Sequence, residues 1–331
     1  MLRRLATTRP FILVLATGVL SSHGDTFGPG RRVLLDAHNA YPERGQWSDR
    51  LERALATSTP LAIEQDLYWG CDAEHQCAPV VAHDDDALDG APTLKSHFFD
   101  SVRPRMEQAL RENRRDKWPL IVLNLDFKQD TAPLLDSVWT ILAQHQRWLT
   151  VAPRTANPSI VEPLTVGPML VLTGSASAQR ARFHDALAVG EPLLAFGAMT
   201  PVRVPGRSRS SRARTSIRMR AEEHIPRAAD NYARWVNFPW SVMEQDGQAK
   251  ADRWTPTDDA RLRSFAARAH ELGYWIRFYT LDGFSDAENR GWTVSYNFGS
   301  LGAARIRWRA ARSAGVDFIA TDQYEAFAAD R

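Results

Sequence analysis

The sequence predicts an α/β fold, a (β/α)8 barrel built as a single domain. Short apolar stretches of strand character alternate with amphipathic stretches of helical period along most of the 331 residues, which is typical of parallel βα units. Roughly eight such units fit a barrel. Charged or polar residues also recur where the predicted strands end, and in a barrel these ends converge on one mouth. A doubly wound open sheet is the alternative.

The predicted elements follow one another along the chain. Strands are predicted at Val33–His38, Leu61–Leu67, Pro79–His83, Leu120–Lys128, Met169–Thr173, Leu193–Phe196, Trp235–Phe238, Tyr274–Thr280 and Val316–Asp322. Helices are predicted at Ser48–Thr57, Thr93–Asn113, Pro133–Trp148, Ala176–Leu187 and Asp258–Leu272. We expect Ser48 to cap the first of these helices and Pro104 to break the second.

The composition is that of a globular protein without a strong charge bias. Hydrophobic residues make up 44% of the chain and there are 11 Trp, which suffices for a large core and excludes a disordered chain. The net charge of +2 gives no reason to expect nucleic acid as a partner. We expect a monomer.

The first 24 residues resemble a secretory signal peptide. Arg3, Arg4 and Arg9 form a basic region, and residues 11–20 form an apolar run that small and polar residues follow. Because this run is too short to span a bilayer comfortably, we expect a cleaved signal and an exported domain at 25–331, periplasmic or secreted. An uncleaved N-terminal anchor is the lesser alternative.

The only two cysteines are Cys71 and Cys77, six positions apart in a predicted loop. An exported protein enters an oxidising space, so we predict a local disulfide between them that stiffens this loop. A zinc site is disfavoured because no second Cys/His pair follows at zinc-ligand spacing.

Two of the predicted strands carry acids at their ends. Glu64 and Asp66 point to the same face of one strand, because strand side chains alternate with a period of two. Two carboxylates on one face repel unless a cation lies between them, and Mg²⁺ or Ca²⁺ takes such oxygen ligands. Asp126 supplies a third carboxylate and Lys128 a fixed positive charge, which suits a phosphate substrate. The alternative is that these acids cap an element or are solvated.

Two predicted strands end in histidine, namely His38 and His83. Histidine can transfer protons near neutral pH, and cleavage of a phosphodiester needs a base or nucleophile on one side of phosphorus and an acid on the other. Two histidines beside an acidic cluster therefore favour catalysis over a purely structural hydrogen-bonding role.

The strand-end residues form one ordered set. The set consists of His38, Glu64-x-Asp66, His83 and Asp126-x-Lys128. In order and spacing it resembles the phospholipase C-like phosphodiesterase superfamily, which includes glycerophosphodiester phosphodiesterases, sphingomyelinase D-type toxins and bacterial phosphatidylinositol phospholipases. The likeness spans roughly residues 33–327, and residues 278–282 and 315–322 resemble two late-strand motifs of the same superfamily.

The resemblance implies a TIM barrel, one Mg²⁺ or Ca²⁺ ion and two histidines as the acid/base pair. It implies that Asp126 binds the metal, that Lys128 contacts the phosphate and that the aromatic Tyr279 lines the pocket. The chain also departs from the glycerophosphodiesterase pattern. It carries His38-Asn39-Ala40 in place of His-Arg-Gly, and only residues 84–92 separate His83 from the next helix.

These departures favour a more open mouth, suited to a lipid headgroup. Asn39, Tyr279 and Arg277 are the further candidates for substrate contacts, with Arg277 standing in for the arginine of the family pattern. A structural ion pair is an equally open interpretation of Arg277.

One segment of the chain, at about residues 200–220, is strongly basic and is predicted to form a surface loop. It holds no acid and seven arginines, namely Arg203, Arg207, Arg209, Arg212, Arg214, Arg218 and Arg220. Such a block suits transient contact with an anionic membrane surface, whereas a solvated and mobile loop is the alternative.

The sequence thus predicts a metal-dependent phosphodiester hydrolase acting on a glycerophospholipid or lipid-headgroup phosphodiester. One alternative is a lyase or phosphotransferase that forms a cyclic phosphate. Another is an inactive barrel that binds phosphorylated ligands.

Overall fold

The computed structural model describes residues 27–244, 253–285, 287–288 and 297–330 of the chain. The predicted signal peptide lies outside these residues. No helix within the described ranges is both long enough and apolar enough to cross a membrane.

Eight parallel strands close into a barrel. They are β1 (Leu34–Ala37), β2 (Leu61–Cys71), β4 (Ile121–Phe127), β6 (Met169–Thr173), β8 (Phe196–Ala198), β9 (Ala233–Pro239), β10 (Trp275–Tyr279) and β11 (Phe318–Thr321). The first strand pairs with both β2 and β11, and this double pairing closes the sheet. The predicted barrel is confirmed, and the open sheet is excluded.

Nine α-helices lie in the described part of the chain. They are α1 (Arg50–Thr57), α2 (Asp100–Glu112), α3 (Ala132–Gln144), α4 (Ser177–Arg180), α5 (Arg209–Ser216), α6 (Ala221–His224), α7 (Pro256–Glu271), α8 (Leu301–Ala314) and α9 (Tyr324–Ala329). The arginine-rich segment, predicted as a loop, therefore contains α5. Here Ser208 accepts a hydrogen bond from the Ser211 amide and caps the helix.

The predicted strand at 79–83 does not join the barrel. Instead β3 (Cys77–Val81) runs antiparallel to the outer part of β2, which is longer than predicted. Cys71 and Cys77 form the predicted disulfide at the tip of this hairpin. At Gly70 a Cβ atom would lie 2.7 Å from Val80, so the close approach of the two strands requires glycine.

Three further predictions differ from the structure. The predicted strand at 193–196 divides into β7 (Pro192–Leu193), which pairs with β5 (Ala152–Pro153) outside the barrel, and the barrel strand β8. Asp49 rather than Ser48 precedes α1, and α2 continues through Pro104.

The sequence prediction missed α8. Four arginines lie among its 14 residues, and they obscure the apolar stripe of Ala304, Trp308 and Ala311 that the helix buries. Ser300 caps its first turn and Gly315, with φ +78°, ends it.

The barrel interior is layered from apolar to polar. Leu34, Ala62 and Val122 belong to a buried apolar cluster inside the barrel, and Phe27 packs on Trp275 below it with ring centroids 5.3 Å apart. Because strand side chains alternate, the inward positions two and four residues beyond these three apolar residues, along β1, β2 and β4, carry polar groups. The second core, which is larger, packs the helices against the outside of the sheet. The polar layers therefore meet at the carboxyl ends of the strands.

Candidate active site

The register of β2 and β4 brings the predicted acids together. Glu64 pairs with Asn124 and Asp66 pairs with Asp126. Because both strands are parallel and in register, the four side chains form two adjacent rows at the mouth. Glu64, Asp66 and Asp126 each offer a carboxylate oxygen within 4.8 Å of the others.

Glu64 is buried among positive groups. Its Oε1 lies 3.1 Å from the Arg277 guanidinium, and its Oε2 lies 3.3 Å from His38 Nε2. Burial raises the pKa of Glu64, but the charges of Arg277, His38 and Lys128 outweigh this and lower it to about 2. Glu64 is therefore a carboxylate at any physiological pH.

Arg277 lies inside the barrel beneath the mouth. Its side chain is 2% exposed, its Nε donates to Asp36, and its Nη1 donates to Asn237 Oδ1 at 3.2 Å. Burial lowers the pKa of Arg277, but Asp36 and Glu64 raise it well above the usual value. The guanidinium is thus paired with buried carboxylates, which agrees with the structural ion pair that the sequence analysis gives as one interpretation of Arg277. Its Cζ lies 5.4 Å from the ring centroid of Tyr279, which is half-buried at the end of β10.

Lys128 lies between two of the carboxylates. Its Nζ is 2.8 Å from Asp66 Oδ2 and 2.7 Å from Asp126 Oδ2. Burial lowers the pKa of Lys128, but these two acids raise it above the usual value, so the amine stays charged. The lysine is 21% exposed and Asp126 is 47% exposed, so both are reachable from the mouth.

Asp66 retains an unsatisfied oxygen. Its Oδ1 is buried and has no hydrogen-bond partner among the described residues. Burial raises the pKa of Asp66 to about 7, the charge of Asp126 adds to this shift, and Lys128 opposes it. An unpartnered carboxylate oxygen with two further carboxylates nearby fits a hard divalent cation with oxygen ligands.

His38 is held by carboxylates on both sides. Its Nδ1 lies 2.7 Å from Asp322 Oδ1, and Arg50 donates to the other oxygen of Asp322 at 3.1 Å. Burial lowers the pKa of His38, but Glu64 and Asp322 raise it to about 9. A carboxylate on Nδ1 fixes the ring orientation, as in histidines that transfer protons, and leaves Nε2 facing Glu64.

Asn39 is hydrogen-bonded within the site. It is 3% exposed with φ +52°, a backbone conformation that Asn tolerates better than most residues. Its backbone N–H donates to Glu64 Oε2 at 3.4 Å, and its side-chain Nδ2 donates to Asp322 Oδ1 at 3.3 Å. The Tyr41 hydroxyl lies 2.7 Å from both Asn39 Oδ1 and Asp66 Oδ2. In the structure Asn39 therefore orients the charged groups around it.

His83 is more exposed than His38. It follows β3, and the amide of the preceding Ala82 donates to the carbonyl of Asp66 at 3.1 Å. Its Nδ1 lies 2.9 Å from Asp84 Oδ1, and its side chain is 42% exposed. The hairpin therefore brings the second histidine to the same strand that carries the buried acids.

The sequence prediction missed several partners of the site. Asp322 was recognised only as a strand-end acid, although it contacts His38 directly. Asp282 accepts hydrogen bonds from the Thr321 hydroxyl and the Asp322 amide at 2.7 Å, and with His38 and Asp322 it forms a second group that could hold a metal. Arg50 lies on a helix, where nothing in its spacing distinguishes it from a solvated arginine.

Comparisons with known proteins find a likeness among solved structures. No protein-family model matches the chain, and no curated protein matches it either. Among solved structures it is similar to a glycerophosphoryl diester phosphodiesterase from Parabacteroides distasonis ATCC 8503, with 13% identity, a TM-score of 0.41, and coverage of 92% of this chain and 88% of that one. At this identity the likeness supports no substrate. The closed parallel barrel, which rests on the strand pairing, fits the phospholipase C-like superfamily that the motifs resemble.

Proposed function

We propose that this protein is a metal-dependent phosphoric diester hydrolase that acts on a phosphodiester of the glycerophospholipid or lipid-headgroup type. The observation that carries the proposal is the cluster of Glu64, Asp66 and Asp126, with oxygens within 4.8 Å of one another, beside Lys128 and His38. Carboxylates, a fixed ammonium and histidines at the mouth of a barrel suit a phosphate substrate.

The three carboxylates are the proposed metal ligands. The ion, Mg²⁺ or Ca²⁺, would stabilise negative charge on the phosphate oxygens. Asp66 Oδ1, buried without a partner among the described residues, supports this assignment. Lys128 contacts the phosphate as a fixed positive charge, since its amine is reachable from the mouth.

The two histidines are the proposed proton-transfer pair. His38 is oriented by Asp322, while His83 is more exposed and is held by Asp84. One histidine either deprotonates the water that attacks phosphorus, or attacks phosphorus itself to form a phosphohistidine that water then hydrolyses. The other histidine protonates the leaving alcohol oxygen. Arg277 and Asn39 act on the reaction through Glu64 and Asp322, which they hold in position.

The test is hydrolysis of bis(p-nitrophenyl) phosphate and of a glycerophosphodiester panel, after chelation and then with added Mg²⁺, Ca²⁺ or Mn²⁺. We expect activity only with metal, and a loss of about 10²- to 10⁴-fold in kcat for His38→Ala and for His83→Ala, the usual range for general acid–base groups. His75→Ala is the matched control, because His75 is exposed at the hairpin tip.

Three outcomes would contradict the proposal. Wild-type turnover in either histidine variant would exclude its role in proton transfer. Absence of turnover with all three metals would favour a binding barrel, and a cyclic phosphate as the final product in phosphorus NMR would favour the lyase.

Metal binding can be measured separately from activity. By calorimetry we expect Asp66→Asn and Asp126→Asn to lose most of the affinity for Mn²⁺, while a matched Asp136→Asn on α3 leaves it unchanged. Equal affinity in all variants would place the ion outside this cluster.

Export is also proposed, since the Cys71–Cys77 disulfide is compatible with an oxidising compartment.

A further inference from the structure

The arginine-rich segment lies at the same end of the barrel as the candidate active site. It follows β8, whose carboxyl end faces the mouth. Arg261 of α7 fixes the segment from below, with hydrogen bonds to the carbonyls of Met219 at 2.8 Å and Ser216 at 3.3 Å. His224 contacts the Ser216 carbonyl as well, at 2.9 Å. The segment is therefore attached to the barrel, and its charges keep a defined position relative to the mouth.

Five arginines of this segment form an exposed basic surface, called here the arginine surface. They are Arg203, Arg207, Arg212, Arg214 and Arg218. Within the described part of the chain, none of the five forms an ion pair. Arg220, by contrast, lies 3.7 Å from Glu223. Uncompensated guanidinium groups concentrated in one short exposed segment attract a polyanion, and their geometry suits phosphate oxygens.

Apolar side chains are interleaved with these charges. Val202 and Val204 precede α5, Ile217 and Met219 follow it, and all four are half-buried. Pro201 and Pro205 are exposed. Aliphatic groups beside arginines suit the headgroup region of a bilayer, where both charge and apolar contact are available, better than a fully hydrated soluble polyanion.

We propose that the arginine surface docks this protein onto an anionic lipid bilayer, with the barrel mouth directed at the headgroups. Docking itself depends on the exposed arginines and the apolar groups beside them, and not on the proposed function. The second part, in which the docked mouth receives a lipid headgroup as its phosphodiester substrate, rests on the proposed function. The two parts are separable, because vesicle binding and hydrolysis of a soluble diester are measured independently.

The experiment is sedimentation of the full chain with sucrose-loaded vesicles of phosphatidylcholine, with and without one quarter phosphatidylglycerol, at low and high salt. Arg207, Arg214 and Arg218 are replaced by Gln together. The matched control replaces Arg105, Arg111 and Arg114 by Gln, since these three are also exposed and lie on α2 or just beyond it, before β4 begins. The neutral vesicles measure any binding by the apolar N-terminal run.

We expect the wild-type chain to bind anionic vesicles more tightly than neutral ones, and high salt to remove the difference. The Arg207/Arg214/Arg218 variant should lose about 100-fold in partitioning, since each basic residue near an anionic surface contributes roughly fivefold. The control should stay within about fivefold of wild type, because its arginines lie away from the docking face. Both variants should hydrolyse a soluble diester as wild type does, which shows that they are folded.

Equal losses in the two variants would overturn the proposal, since net charge alone would then explain binding. Binding to soluble heparin with none to anionic vesicles would also overturn it and would identify a soluble polyanion as the partner. If no variant hydrolyses any diester but the vesicle results hold, docking stands and the proposed function fails.

Discussion

The two sides of the barrel mouth differ in how their charges are held. On the inner side lie His38, Glu64, Arg277 and Asp322, whose side chains are 12%, 5%, 2% and 1% exposed. On the outer side lie His83, Asp126 and Lys128, at 42%, 47% and 21%. Both sides carry a histidine and carboxylates, but only the inner side is closed to solvent.

The difference in exposure indicates that the inner charges fix the geometry of the site, whereas the outer charges are available to an ion and a phosphate. The inner charges neutralise one another through contacts that span the chain, such as Arg277 with Glu64 and Arg50 with Asp322. Such buried pairs contribute little net stability but are costly to break, so they fix geometry. The outer charges can exchange partners at low cost, which is what the arrival of an ion and a phosphate requires. Asp66, buried but next to Lys128, joins the two sides.

The largest effect on stability is expected when the inner side loses the guanidinium of Arg277. Arg277→Met leaves Asp36 and Glu64 buried without their shared guanidinium, so the free energy of unfolding should fall by about 3–5 kcal/mol. Urea denaturation at neutral pH measures the loss. Lys128→Met is the counterpart on the outer side, and a similar destabilisation in both variants would contradict the division between the two sides.

Lys128→Met should act on catalysis rather than on stability. We expect kcat/KM for a phosphodiester to fall by roughly 100-fold at saturating metal, the scale for removing one electrostatic group from a transition state. The free energy of unfolding should fall by only about 1 kcal/mol, because Asp126 is exposed and screened by solvent. Asp66 is buried, but burial already favours its neutral form, so it can take up a proton when the lysine is lost. An unchanged kcat/KM would exclude the proposed contact of Lys128 with the phosphate.

Asp282→Asn should reveal a smaller cost that depends on pH. Burial raises the pKa of Asp282 to about 7, and the charge of Asp322 adds to the shift. A raised carboxyl pKa means that the folded state favours the neutral acid. Without divalent metal, wild type should therefore lose stability from pH 4 to pH 7, and the loss should level off above pH 7.

The amide side chain of the Asp282→Asn variant, which does not titrate, should keep that stability. By urea denaturation we expect equal stability near pH 4 and a gain on the order of 2 kcal/mol over wild type at pH 8. Parallel profiles for the two proteins would contradict the shift. A gain in stability confined to low pH would show that the pKa of Asp282 is lowered in the folded state rather than raised.

The smallest effect is expected at the far end of the outer side. Replacing Cys71 and Cys77 with Ser opens a short loop, and the chain-entropy estimate for such a loop is about 2 kcal/mol or less. We expect kcat/KM to stay within about threefold, because the hairpin tip lies beyond the groups of the site. A tenfold loss of kcat/KM would show that the disulfide positions His83.

The sequence predicted the strand-borne part of the site and missed what barrel closure adds. Spacing by two residues was enough to set Glu64 with Asp66, because both lie on one strand. The contact of His38 with Asp322 joins residues 284 positions apart, and it exists only because β1 pairs with β11. Local periodicity carries no information on such a pairing, so the partner of the first histidine could not be derived.

The errors in the fold have a similar origin. An apolar stretch that ends in His83 has the same pattern whether it enters the barrel or folds back on its neighbour. In the structure the stretch folds back as a hairpin in which Cys71 lies opposite Cys77. The sequence shows both cysteines but not the strand register that places them opposite each other. The arginines of α8 hid a buried stripe, since helical amphipathicity is judged from the apolar positions alone.

The hairpin of β2 and β3 has one more consequence. Near its base the Ala82 amide bonds to Asp66, and at its tip Cys71 is joined to Cys77. Residues 72–76 between the cysteines are all exposed, and Asp72 accepts hydrogen bonds from the backbone amides of Glu74, His75 and Gln76 within the tip itself. Both ends of this pentapeptide are tied, so its length and composition can vary while the second histidine stays in place. It is therefore a natural attachment point for an inserted epitope or a fluorescent reporter.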